Sequence, residues 1–108
     1  MRIAIIGGLG RSEPILARLA GAAGHEALFH NGEMGARGVR ALERVIDNAE
    51  VVVVVTDVNS HGSVRLARRF LRERGRTPVL MRRCGAARLA GFLGGLGSDV
   101  AGSRADAA

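Results

Sequence analysis

The chain of 108 residues has no lysine, tryptophan or tyrosine, one cysteine and two prolines. Each shortage excludes something. A lone Cys84 rules out an internal disulfide and fits a reducing compartment. Aromatic residues make up 3% of the chain, so the core must be built from Val, Leu, Ile and Ala. The same shortage removes the ring platforms on which single-stranded bases stack. No run approaches the roughly 20 apolar residues of a membrane helix. The first apolar run passes straight into Gly7 and Gly8, which fits a first strand and not a secretory leader. A soluble, cytoplasmic protein with no membrane partner is expected.

What is present is unbalanced. All 16 basic residues are arginine, against 10 acidic ones, for a net charge of +6. A compositional bias toward Arg, Ala, Gly and Val of the kind a GC-rich genome imposes accounts for this. The sharper alternative is an arginine surface selected for nucleic acid or phosphate. Without aromatic platforms, nucleic acid is the weaker partner class. The length suits one domain, over residues 1–97, with a disordered tail expected over 98–108. Small aliphatic cores are marginal, so a homodimer is expected as well.

The pattern is organised around Val51 to His61. Five consecutive valines predict a strand buried on both faces, as in a parallel sheet. The strand then gives way to Thr56, Asp57, Asn59, Ser60 and His61. In open α/β sheets, ligands bind beyond the carboxyl ends of the strands. The other segments fall around this one. Strands are predicted over Arg2–Ile6, Glu26–His30 and Thr77–Met81. Helices are predicted over about Ser12–Ala23, Ala36–Asp47, Ser60–Arg74 and Ala86–Leu93. Ser12 serves as an N-cap and Pro14 suits a first helical turn. Gly94, Gly95 and Gly97 should end the last helix. Alternation of strand and helix implies one four-stranded parallel sheet with helices on both faces, a Rossmann- or flavodoxin-like α/β fold. The expected strand order is 2-1-3-4, with the switch point between the first and third strands.

Four strand ends carry the candidate chemistry. The first glycine turn, with Gly8, Gly10 and Ser12, nearly fits a dinucleotide fingerprint. However, Glu13 replaces the third glycine and His30 stands where an acidic residue belongs, so NAD is disfavoured. A smaller anion could use the free N–H groups. The second end is His30-Asn31-Gly32-Glu33. At the third, Asp57 could order its own loop, Ser60 could cap a helix, and His61 sits where the helix dipole disfavours its charged form. A neutral imidazole there suits a metal ligand or proton shuttle. At the fourth, Arg82 and Arg83 suit an oxyanion clamp, or one of them pairs with Asp57 or Glu33. Cys84 is either a thiol with lowered pKa or inert filler. The arginines from Arg65 to Arg76 are expected to meet solvent.

The order of a Gly-Gly turn, a His-containing loop, Thr56-Asp57…His61 and Arg82-Arg83 resembles a bacterial family of small α/β domains of unknown function. Its third strand leads into Thr-Asp-x-Val-Asn-His and its fourth into Ser-Arg-Arg-Ser. The resemblance covers the chain to about Leu93. Here Asn59 stands for Val, Ser60 for Asn, Met81 for the first Ser and Cys84 for the second. It implies the fold and the location of a site, with little weight on Asn59, and it implies no activity.

Two functions of different class fit these residues. In the first, His30, Asp57, His61, Arg82 and Arg83, with Gly8, Gly10, Ser12 and Ser60, hold a small anionic or phosphate-bearing ligand. In the second, a metal or redox site, His30, Asp57 and His61 ligate a transition metal, with Glu33 or Cys84 as an optional further ligand. A nucleic-acid-associated role ranks behind both. No nucleophile–base motif marks a catalytic residue.

Overall fold

Two strands without a solvent face form the middle of the molecule: β1 (Arg2–Ile6) and β3 (Val51–Val55). The computed structural model describes residues 1–7, 10–57, 59 and 61–102, with residues 96–102 as helix backbone. β2 (Glu26–His30) and β4 (Val79–Met81) flank the central pair, and the order is β2-β1-β3-β4 with every neighbouring pair parallel. Ile3 lies beside Val51 and Ile6 beside Val54, while Ile6 also lies beside His30 and Val55 beside Met81.

The period of two along each strand divides the core into two layers. Ile3, Ile5, Val53 and Val55 face α1 (Glu13–Ala22) and α4 (Ala86–Gly102) through Leu16, Ala20, Leu89 and Leu93. Ala4, Ile6, Val52 and Val54 face α2 (Ala36–Asn48) and α3 (His61–Glu73) through Leu42, Ile46, Ala67, Phe70 and Leu71. Each fully buried Val, Leu or Ile contributes about 1.5–3 kcal/mol of transfer free energy.

Local details depart from the sequence expectations in three places. Gly10–Ser12 forms a 3₁₀ turn, and Ser12 makes no side-chain capping bond. Its backbone (φ −79°, ψ −15°) is already helical. A capping hydroxyl needs the extended geometry that aims it at the N–H groups of the first turn. β4 begins after Pro78, because proline cannot donate to the ladder. α4 runs on through Gly94, Gly95 and Gly97 to Gly102. Each glycine costs about 1 kcal/mol in a helix interior but removes no donor, and Leu89 and Leu93 anchor the helix on the core. The expected tail is thus helical over 98–102, and residues 103–108 lie outside the described residues.

Two arginines expected to meet solvent instead join α2 to the end of α3. Arg74 donates to Asp47 Oδ1, to Glu43 Oε2 (2.8 Å) and to the Phe70 carbonyl (3.0 Å). Its guanidinium also lies 5.4 Å from the centroid of the Phe70 ring. Arg76 donates to the carbonyls of Ile46 (2.8 Å), in the last turn of α2, and Ala49 (2.6 Å), just beyond it, where the helix runs out of N–H donors.

The hydrogen bond from Arg74 holds the Asp47 carboxyl below its usual range. The Arg2 backbone N–H does the same to Glu50. A depressed carboxyl stabilises the fold fully above its unfolded-state pKa, and this contribution disappears as pH falls through the lower folded-state value. Acid should therefore weaken the protein on the low side of 3.8 for Asp47 and 4.5 for Glu50. Arg74→Gln should lower the urea midpoint at neutral pH and flatten its decline between about pH 5 and about pH 2. An unchanged decline in the variant would contradict this assignment.

Candidate functional site

The expected site was the crevice between the carboxyl ends of β1 and β3. The Asn59 carboxamide closes it. Asn59 Nδ2 donates to the Ile6 carbonyl (3.1 Å) and to the Val55 carbonyl (2.9 Å), the last residues of the two central strands. One side chain thus satisfies acceptors on both sides of the switch point. The family resemblance gave this position little weight, and the structure corrects that. Gly8 and Ser60, both named as ligand-binding candidates, lie outside the described residues. Gly10 and Ser12 sit in the 3₁₀ turn that leads into α1.

His30 is part of the architecture of the β2–α2 loop. It is buried; its Nδ1 accepts from the Gly32 N–H (3.0 Å) and its Nε2 contacts the Gly38 carbonyl at 2.8 Å. With Nδ1 accepting, Nε2 is the ring nitrogen that donates, to the Gly38 carbonyl. Asn31 Oδ1 accepts from the Glu33 N–H (3.0 Å), closing an Asx turn. Gly32 has φ +91°, which favours glycine. At Gly38 a Cβ would overlap the Glu33 backbone oxygen. The His-Asn-Gly-Glu segment, read as a possible ligand site, is therefore a self-bonded loop pressed against the start of α2. An open cleft of about 390 Å³ beside it is lined by Glu13, Asn31, Glu33 and Arg37, a mixed-charge set.

His30 stands apart from the other candidates. It ends β2, and Arg82 follows β4, three strand spacings away across the sheet. At about 4.8 Å per strand this is roughly 14 Å. Among the described residues, no three His, Cys, Asp or Glu side chains are grouped to hold a metal ion. Both ring nitrogens of His30 are engaged by backbone groups, so His30, Asp57 and His61 do not form a ligand set. His61 is exposed in the first turn of α3.

Asp57 and the arginines do converge. The Asp57 N–H donates to the Arg82 carbonyl (2.9 Å), which extends the β3–β4 pairing past the end of β4. Arg83 Nε donates to Asp57 Oδ2 (2.9 Å). The Arg83 side chain is 82% exposed, so the pair contributes little to stability. Arg82, Arg83 and Arg88 line a cleft of about 300 Å³. Arg88 lies in the first turn of α4, where free backbone N–H groups add positive potential. Arg88 was absent from the sequence-derived site; its spacing from Arg82 and Arg83 carries meaning only once a helix is known to start at Ala86. Cys84 is buried between them, and burial pushes its thiol pKa up, with Arg88 opposing. It packs with Met81, Leu89 and Leu93 as core filler, and its burial runs against a lowered thiol.

The model of a bacterial family, described as "Uncharacterized protein conserved in bacteria (DUF2325)", matches residues 2–96. The chain belongs to this family. The matched span takes in all four strands and the three strand ends at which the site candidates are described. Neither the curated proteins nor the solved structures yield a match. Among the described residues, no helix is long and apolar enough to cross a membrane.

The Asn59 bridge makes a sharp prediction. Asn59→Asp keeps the shape but turns a donor into an acceptor facing two carbonyls. It should cost about 1–3 kcal/mol in chemical denaturation at neutral pH, more than Asn59→Ala. Part of the loss should be recovered at acid pH, where the new carboxyl protonates. Equal stability of the Asp variant and the parent would remove the bridge as a structural element.

Proposed function

We propose that this protein is a small binding module that holds an anionic, phosphate-bearing ligand at the β4 end of the sheet. The observation that carries this reading is the convergence of Arg82, Arg83 and Arg88 on one cleft beside the start of α4. Guanidinium groups offer planar pairs of donors that match phosphate or carboxylate oxygens. The helix N-terminus adds backbone donors with the same preference. Asp57 occupies one face of Arg83 through an exposed ion pair, which an anion of higher charge can displace at small cost. The ligand-binding set is thus Arg82, Arg83 and Arg88, with Asp57 as an internal competitor and His61 in the first turn of α3. The described residues that line the cleft are arginines, which supports a role in binding rather than in chemistry.

The test is thermal melting with inorganic phosphate. Binding to the folded state alone raises stability by RT ln(1 + [L]/Kd), about 1.4 kcal/mol at ten times Kd. That corresponds to a melting rise of several degrees for a domain of this size. Arg88→Gln and Arg82→Gln should each abolish most of the rise, and Asp57→Asn should enlarge it. His30→Gln is expected to lower the melting temperature without changing the phosphate response. A rise that survives both arginine substitutions would reject the cleft as the site.

A further inference from the structure

The positive charge of the chain is not spread evenly. α3 carries four arginines, at positions 65, 68, 69 and 72, against one acidic residue, Glu73. These positions follow the i, i+3, i+4, i+7 spacing of a single helix face, and all four are exposed, opposite the buried stripe of Ser63, Ala67, Phe70 and Leu71. α2 presents Arg37, Arg40 and Arg44, also exposed, on its side away from Leu42 and Ile46. The two helices form one layer on the same face of the sheet.

The acidic groups in this layer are already engaged. Glu43 and Asp47 are held by Arg74 at the seam between the helices, and Glu73 pairs with Arg69. Among the described residues, Arg37, Arg40, Arg44, Arg65, Arg68 and Arg72 make no ion pair. The opposite layer differs sharply: α1 carries only Glu13 and Arg18 as charged residues, and α4 only Arg88 and Asp99. A compositional bias toward arginine sets how many there are. It does not explain why six uncompensated ones share a layer while the neighbouring carboxylates are neutralised by Arg69 and Arg74.

We infer that the outer face of α2 and α3 is a docking surface for the phosphate backbone of a nucleic-acid duplex, read without regard to sequence. The stripe from Arg65 to Arg72 spans about 10 Å of helix axis, long enough to meet several charges of a duplex that carries one per about 1.7 Å. A duplex offers phosphates and needs no aromatic platform, whereas a splayed single strand depends on stacking that this chain cannot supply. A membrane surface fits less well. Interfacial helices insert an apolar face beside their basic one, and the exposed large apolar side chains among the described residues are Ile15 on α1 and Leu80 on the edge strand β4, with none on α2 or α3 themselves. This surface is separate from the arginine cleft, which belongs to the α4 side of the sheet.

The experiment is fluorescence anisotropy of the full chain with a labelled duplex of roughly 20 base pairs, between about 50 mM and about 200 mM salt. Six phosphate contacts give a slope of log K against log salt of about −5. Arg65→Gln/Arg68→Gln/Arg72→Gln should make the slope shallower by about 2.7, and Arg40→Gln/Arg44→Gln by about 1.8. Circular dichroism confirms that each variant is folded; exposed substitutions of this kind change stability by about 0.5 kcal/mol or less. Arg82→Gln/Arg88→Gln should leave the slope unchanged, so failure of the cleft and failure of this surface are distinguishable. The inference is overturned by absence of duplex binding at low salt, or by slopes that do not respond to the α2 and α3 variants. It is likewise overturned if vesicles of phosphatidylserine and phosphatidylcholine bind the chain while the duplex does not, or if a single strand of equal length binds as tightly as the duplex.

Discussion

A strand covered by helices on both faces can meet polar partners only at its two ends. That constraint governs this molecule. β1 and β3 have Ile3 to Ile6 and Val52 to Val55 buried, so their backbone groups are satisfied by neighbouring strands until the sheet stops. The last carbonyls then need donors, and the chain supplies one from its own next loop. Asn59 bonds Ile6 and Val55 together and locks the end of the central pair. With the central pair bridged in this way, clefts along the carboxyl edge lie to either side, beside the β2–α2 loop and at the end of β4 and the start of α4.

The same economy appears at the other ends. His30 follows β2 and turns both ring nitrogens toward the backbone of its own loop, so it stiffens the connection to α2. Gly38 lets the helix come against the Glu33 carbonyl. At the opposite edge of the α2–α3 layer, Arg74 and Arg76 hold the final turns of α2 against the end of α3. Several polar residues that resemble site chemistry in the sequence are thus bonded to the main chain or to one another. What remains open is arginine: a cleft at the β4 end and a face on α2 and α3.

Much of the fold was legible in the residues. Period-two burial, the five valines and the glycines after the first and third helices, Gly24 and Gly75, locate β1, β2, β3 and the helices between them. The alternation of strand and helix implied the parallel sheet, and the expected order 2-1-3-4 is the one observed, although right-handed crossovers restrict the order without fixing it. The site was legible only in part. Asp57, Arg82 and Arg83 come together as their positions after β3 and β4 suggest, because neighbouring strands bring their following residues side by side. His30 was grouped with them, but it lies across the width of the sheet. Arg88 gave no signal and Asn59 was given little weight, since one depends on where a helix begins and the other on the direction of a single amide.

The linear chain by itself determined which segments are strand and helix, which faces are buried, the excess of arginine, and the exclusion of disulfides and aromatic stacking. These are properties of composition and short-range periodicity, which side-chain size, charge and hydrophobicity decide locally. Tertiary structure decided which polar groups are spent on the backbone and which are left for another molecule. It set the hydrogen-bond partners of His30, the raised pKa of Cys84, the engagement of Glu43 and Asp47, and the gathering of unpaired arginines on one layer. Hydrogen bonds and ion pairs act over a few ångströms between residues far apart in the chain, so their partners exist only once the sheet and helices have been packed.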